Sequence, residues 1–138
     1  MGADEVRRRT AEEWVAKAED DLKVAVHALG LGAECPAGVV CFLAQQCAEK
    51  YLKALLTANS IEFPKIHDIE RLTSLLPAPV RAPLGIEAQR ELTSHAIAPR
   101  YPSSDEPITL AEARHAVRLA KRVRAAMRKR LSKPEGRR

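Results

Sequence analysis

Apolar residues recur along this chain at steps of three and four, the spacing that lines one face of an α-helix. Trp14, Ala18, Leu22, Ala25 and Leu29 make one such stripe and predict a first helix from about Ala11 to Leu29. "TAEE" would open it as a capping box, with Thr10 as cap and Glu13 reaching back. Val40, Leu43, Cys47, Tyr51, Leu55 and Ala58 make a second stripe, on a helix from about Ala37 to Ala58. Gln45, Gln46, Glu49, Lys50 and Lys53 lie off that stripe. A short third helix, about Asp68 to Leu76, is entered through "PKIHD", where Asp68 can accept from free amides at the helix start. A fourth runs from about Leu84 to Ala98. The fifth opens at a second capping box, Thr109 with Glu112. Its stripe is Leu110, Ala113, Val117, Ala120, Val123, Met127 and Leu131.

Proline and glycine punctuate these segments at "GLG" (30–32), "CPAG" (35–38), "FPK" (63–65) and "LPAPVRAPLG" (76–85). No alternating apolar-polar run survives between them, so no strand is predicted. Helix over well more than half the chain, against about one third in an ordinary domain, gives the class all-α. The short connections favour an up-down antiparallel bundle of four to five helices. A length of 138 residues suits one core. The expected domain is 1–131, followed by a basic tail at 132–138.

Charge is unevenly spread. Arg114 to Arg138 holds eleven Lys or Arg against one acid, Glu135, a net of +10. The whole chain carries +5, so the 113 residues before Arg114 sum to −5. The basic last helix and tail read either as a nucleic-acid contact or as a solvated helix face. No apolar run is long enough to span a membrane. "MGADEVRRRTAEEW" has no apolar signal region, and a cytoplasmic location is expected. Cys35, Cys41 and Cys47 are spaced six and six, without the close pairs that zinc sites use. They read as small buried apolar residues, and neither a metal nor a cofactor is expected.

Four pieces of the chain resemble one family. "CFLAQQCAEKYLKALL" (41–56) is similar to the signature helix of the HEPN domain (higher eukaryotes and prokaryotes nucleotide-binding). "AEDDLKVA" (18–25) resembles the family's first helix. "FPKIHDIERL" (63–72) resembles its P-x-x-H-D segment, and "RYP" (100–102) the turn before its last long helix. The resemblance spans about residues 11–131. It implies a helical bundle that dimerises. Many bacterial members are encoded beside a minimal nucleotidyltransferase and form a toxin–antitoxin pair with it. There the HEPN partner is often a metal-independent endoribonuclease with an R-x4-6-H motif, neutralised when the nucleotidyltransferase modifies it. Other members lack the motif and serve only for binding or assembly.

Arg90 and His95 satisfy R-x4-H, with "ELTS" between them. Metal-free RNA cleavage needs a group that moves a proton near neutral pH, which suits histidine. It also needs a fixed cation at the phosphate, which suits the guanidinium fork. Five helical residues set the two side chains roughly 140° apart in azimuth. A composite site across a homodimer axis would bring them together. The other reading is packing, because His95 continues the strip of Ala88 and Leu92. Arg100 and Tyr101, between Pro99 and Pro102, are read as RNA or nucleotide contacts. Alternatively, Arg100 caps the end of the fourth helix. The family likeness also offers Tyr101 as a hydroxyl for a nucleotidyltransferase partner to modify. Gln45, Gln46, Glu49 and Lys50 read first as a structural polar cluster and second as residues facing the Arg/His site. His67 is expected at a helix start, and His27 and His115 on the surface.

The resulting expectation is a HEPN toxin acting on RNA as a homodimer, opposed by a minimal nucleotidyltransferase. The alternative is a non-catalytic nucleotide- or RNA-binding subunit of the same partner.

Overall fold

A computed structural model describes residues 2–80, 84–96 and 107–132. Five α-helices form it: α1 (Ala3–Leu29), α2 (Ala37–Ala58), α3 (Ile69–Ser74), α4 (Ile86–Ser94) and α5 (Leu110–Leu131). Short 3₁₀ turns at Gly32–Glu34 and Ala78–Val80 interrupt the connections. No strand occurs among the described residues, so the class is all-α, as the periodicity predicts.

The central element is α2, which packs along both α1 and α5. Its burial explains its composition. Val40, Cys41, Ala44, Cys47, Ala48, Tyr51, Leu52, Leu55 and Leu56 are all buried and together occupy about half of its circumference. So broad an apolar face takes neighbours on two sides, which places the helix inside a bundle. Each fully buried leucine contributes about 2 kcal/mol of hydrophobic stabilisation. The stripes of α1 and α5 face it: Ala18, Leu22 and Ala25 on one, and Ala113, Val117, Ala120, Val123 and Met127 on the other.

Ionic links cross the same packing. Arg124 of α5 donates from Nε and Nη2 to the two oxygens of Glu19 on α1, at 2.6 and 3.0 Å. The Tyr51 hydroxyl donates to the same carboxylate. That Arg124 fork, opposed by partial burial and assisted by Tyr51, holds the Glu19 carboxyl below its usual range. Lys50 reaches Asp21 at 2.6 Å.

Helix ends depart from expectation at two places. α1 begins at Ala3, not near Ala11. Thr10 lies inside it and donates Oγ1 to the Val6 carbonyl at 3.0 Å, so its expected box with Glu13 does not form. The preceding "DEVRRR" carries its acids first and its arginines three and four residues later, which supports helix outward from the predicted start. α4 is shorter than expected at both ends. Gly85 is its extended N-cap, and His95 closes it with an N–H to the Leu92 carbonyl. A helix continued further would set the ring of Pro99 against the carbonyl of residue 95. At α5 the capping box does form, with Glu112 N–H to Thr109 Oγ1 at 3.0 Å and Thr109 N–H to Glu112 Oε1 at 3.2 Å. No helix among the described residues is long and apolar enough to cross a membrane.

Candidate functional site

The polar residues of α2 are not a solvated flank. Gln45, Glu49 and Lys53 stand at steps of four, which stacks them in one row on the helix. All three are buried. Gln46 and Lys50 are half-buried. That row is the signal the spacing carried and the apolar stripe obscured.

Burial requires partners for these groups, and they find them in each other and in the chain entering α3. Lys53 Nζ lies 2.8 Å from Glu49 Oε2. The same ammonium sits over the rings of Trp14 and Phe63, 5.5 and 5.8 Å from their centroids. Gln45 Nε2 donates to Glu49 Oε1 at 2.9 Å and to the main-chain carbonyl of His67 at 3.2 Å. Gln46 Nε2 donates to Gln45 Oε1 at 2.6 Å. His67 Nδ1 lies 2.9 Å from Glu49 Oε1. Burial pushes the Glu49 carboxyl up. Hydrogen bonds from Lys53, Gln45 and His67 outweigh that and hold it below the usual carboxylate range. The cluster is thus a charged pair with a histidine on its outer edge. The structural role expected of Gln45 and Glu49 is what these contacts perform. His67 stands just before the N-cap of α3, as expected, and Asp68 Oδ1 accepts from the Arg71 N–H at 3.0 Å.

α4 lies across the start of α3. Thr93 Oγ1 accepts from the Ile69 N–H at 2.8 Å and donates to the Gln89 carbonyl at 3.0 Å. One helical turn earlier, Arg90 forks onto Glu70, with Nε to Oε1 at 2.8 Å and Nη2 to Oε2 at 3.2 Å. The Arg90 side chain is 67% exposed. The Arg90 guanidinium holds the Glu70 carboxyl below its usual range. His95, the C-cap of α4, is half-buried, and its Nε2 is shut off from solvent. Arg90 and His95 therefore share one helix but stand differently, the first outward and ion-paired, the second against the fold. Arg100 and Tyr101 lie outside the described residues. His27 is exposed. His115 pairs with Glu91 at 3.2 Å and ties α5 to α4.

Cys41 and Cys47 are buried and Cys35 is half-buried. Burial, with Glu19 and Asp21 nearby, pushes the Cys47 thiol up to about 12. No group of three or more His, Cys, Asp or Glu that could hold a metal occurs among the described residues.

The HEPN domain family model matches residues 11–130. A solved structure of TT1696 from Thermus thermophilus is similar, with 33% identity over 86% of this chain and 96% of that one, at a TM-score of 0.73. ST0689, an archaeal HEPN homologue, is similar at 29% identity over 88% of this chain and 98% of that one, with a TM-score of 0.69. No curated protein matches.

Proposed function

The chain belongs to the HEPN domain family, and from that premise we propose that it is a metal-independent endoribonuclease that works as a homodimer. The observation that carries this reading is Arg90. It is an exposed guanidinium held by a bidentate carboxylate, on the helix that ends in His95. A fixed guanidinium can meet a phosphate and stabilise the extra charge of a five-coordinate phosphorus. His95 supplies an imidazole for proton transfer, and a second copy brings it opposite Arg90, since roughly 140° of helix separates them in one chain. Arg100 adds a further cation for the RNA backbone. The partner in this reading is a minimal nucleotidyltransferase that silences the site by modifying Tyr101, making the pair a toxin and its antitoxin.

The test is RNA cleavage by purified protein in EDTA. Arg90→Ala and His95→Ala are each expected to slow it by about 100-fold or more. A His95→Ala protein that cuts as fast as wild type removes His95 from the site.

Two observations favour a second reading, a binding subunit without catalysis. Arg90 is already occupied by Glu70, and His95 Nε2 is buried. On that reading the protein binds RNA and the nucleotidyltransferase, and cuts nothing.

A further inference from the structure

Cleavage through the ribose 2′-hydroxyl involves two proton transfers, one from the attacking oxygen and one to the leaving oxygen. An imidazole in the geometry of a base stands three residues before Glu70, the partner of Arg90, and it is not His95. We propose that His67, aimed by Glu49, is the base that takes the 2′-hydroxyl proton, a proposal that rests on the RNA-cleaving reading above.

The orientation follows from the buried row. Glu49 is an acceptor with one oxygen on Lys53 and the other facing His67 Nδ1. An ionised carboxylate cannot donate, so Nδ1 carries the hydrogen. The neutral ring then has its lone pair on Nε2. The Glu49 side chain is 3% exposed and that of His67 is 64% exposed, so the carboxylate grips the ring from inside while the ring stands in solvent. Gln45 secures the arrangement twice, binding the Glu49 carboxylate and the His67 main-chain carbonyl with one amide. Glu49 and Gln45 are positioning residues.

The register of α3 on α4 brings the chain that carries His67 toward the helix that carries Arg90. Glu70 meets Arg90, and Ile69 meets Thr93 further along α4. Lower residue numbers at the start of α3 thus lie nearer the C-terminal end of α4. The chain at His67, two residues before Ile69, therefore approaches the end of α4 that His95 caps. Arg90 also feels the charge of Asp68, the residue after His67.

In the step, the 2′-oxygen gives its proton to His67 Nε2 and forms a bond to phosphorus. The bond from phosphorus to the 5′-oxygen breaks, and that oxygen leaves with a proton from His95. The products are a 2′,3′-cyclic phosphate and a 5′-hydroxyl, with no change of oxidation state.

A purely structural His67 would merely tie residues 63–68 to α2. His67→Asn separates the two roles, because its amide can still donate to Glu49 but has no basic nitrogen. The experiment measures RNA cleavage in EDTA, RNA affinity and urea midpoint for wild type, Arg90→Ala, His67→Ala and His67→Asn. Both His67 variants are expected to lose about 100-fold in kcat, with RNA Kd and the His67→Asn midpoint unchanged. Cleavage by His67→Asn close to the wild-type rate overturns the proposal while Arg90→Ala still reports on the nuclease reading. No cleavage by wild type ends that reading and the base with it. Nitrogen-15 spectra at alkaline pH give a readout independent of activity. The His67 ring should show hydrogen on Nδ1 and switch in Glu49→Gln; hydrogen on Nε2 in wild type overturns the orientation.

Discussion

His67 Nδ1 and Glu49 Oε1 are 2.9 Å apart, yet one belongs to an exposed ring and the other to a buried carboxylate. The contact joins the centre of the bundle to its surface through one hydrogen bond. On its inner side the same carboxylate holds Lys53, so removing Glu49 strands a buried ammonium. Breaking such a pair from one side costs about 3–5 kcal/mol, whereas replacing both charges by neutral groups of similar shape costs far less. Glu49→Ala is expected to lose about 3 kcal/mol in urea unfolding. The double variant Glu49→Gln with Lys53→Met is expected to recover most of that loss. Equal losses in the single and the double variant would show that the charges do not depend on each other.

Acid should unfold the protein through the same carboxylates. Glu49 and Glu19 have folded-state values below the ordinary 4.5. As pH falls through about 4.5, the unfolded chain takes up protons before the folded one. The stabilisation is complete above that value and is lost as pH falls through the depressed folded values. Urea midpoints measured between roughly pH 6 and pH 3 should therefore fall steeply at the acid end. Glu49→Gln should flatten that limb, and an unchanged slope would mean that Glu49 is not among the groups titrating.

Much of this architecture is legible in the residue pattern, for a physical reason. The stripes of α1, α2 and α5 are long enough for a 3.6-residue period to stand out, and every one faces the core. The start of α1 misleads because Thr10 and Glu13 have the right types at the right spacing, but seven helix-compatible residues precede Thr10. The buried row of Gln45, Glu49 and Lys53 is hard to place because polar residues default to the surface. Only tertiary contacts with His67, Trp14 and Phe63 reveal what satisfies them. The R-x4-H spacing is visible in the sequence. That Glu70 pairs with Arg90 is not, since nothing local links residues twenty apart.

The end of α2 offers a stabilising substitution. Ser60 has φ +59°, the left-handed conformation, just after the cap Asn59. The Ile61 N–H reaches the Leu56 carbonyl at 2.9 Å and the Ser60 N–H reaches Thr57 at 3.1 Å, the paired bonds of a Schellman turn. Glycine adopts that conformation without a Cβ clash. Ser60→Gly is expected to gain about 0.5–1 kcal/mol, read as a higher thermal midpoint. A lower midpoint would show that the serine side chain contributes more than its backbone costs.

Thiol chemistry should separate the three cysteines. With Cys47 pushed to about 12, its thiolate at pH 8 is roughly one part in ten thousand. Cys41 is buried and Cys35 half-buried. Titration of native protein with a disulfide reagent should give one prompt thiol, abolished by Cys35→Ser, and two more on unfolding. Three prompt thiols would contradict the packing of α2.

On the proposed nuclease reading, Glu70 competes with RNA for Arg90. In the free protein the carboxylate occupies both arms of the guanidinium fork, at 2.8 and 3.2 Å. A phosphate oxygen must displace it, and an exposed pair of this kind is weak enough to give way. Glu70→Gln keeps the shape but removes the competing charge. RNA affinity is expected to rise by roughly two- to fivefold at low salt, with the gain shrinking as salt screens both contacts. The same substitution in an Arg90→Ala background should leave affinity close to that of Arg90→Ala alone, because the competitor then has nothing to compete for. Equal gains in both backgrounds would mean that Glu70 repels RNA through its charge at large, and that Arg90 does not touch phosphate.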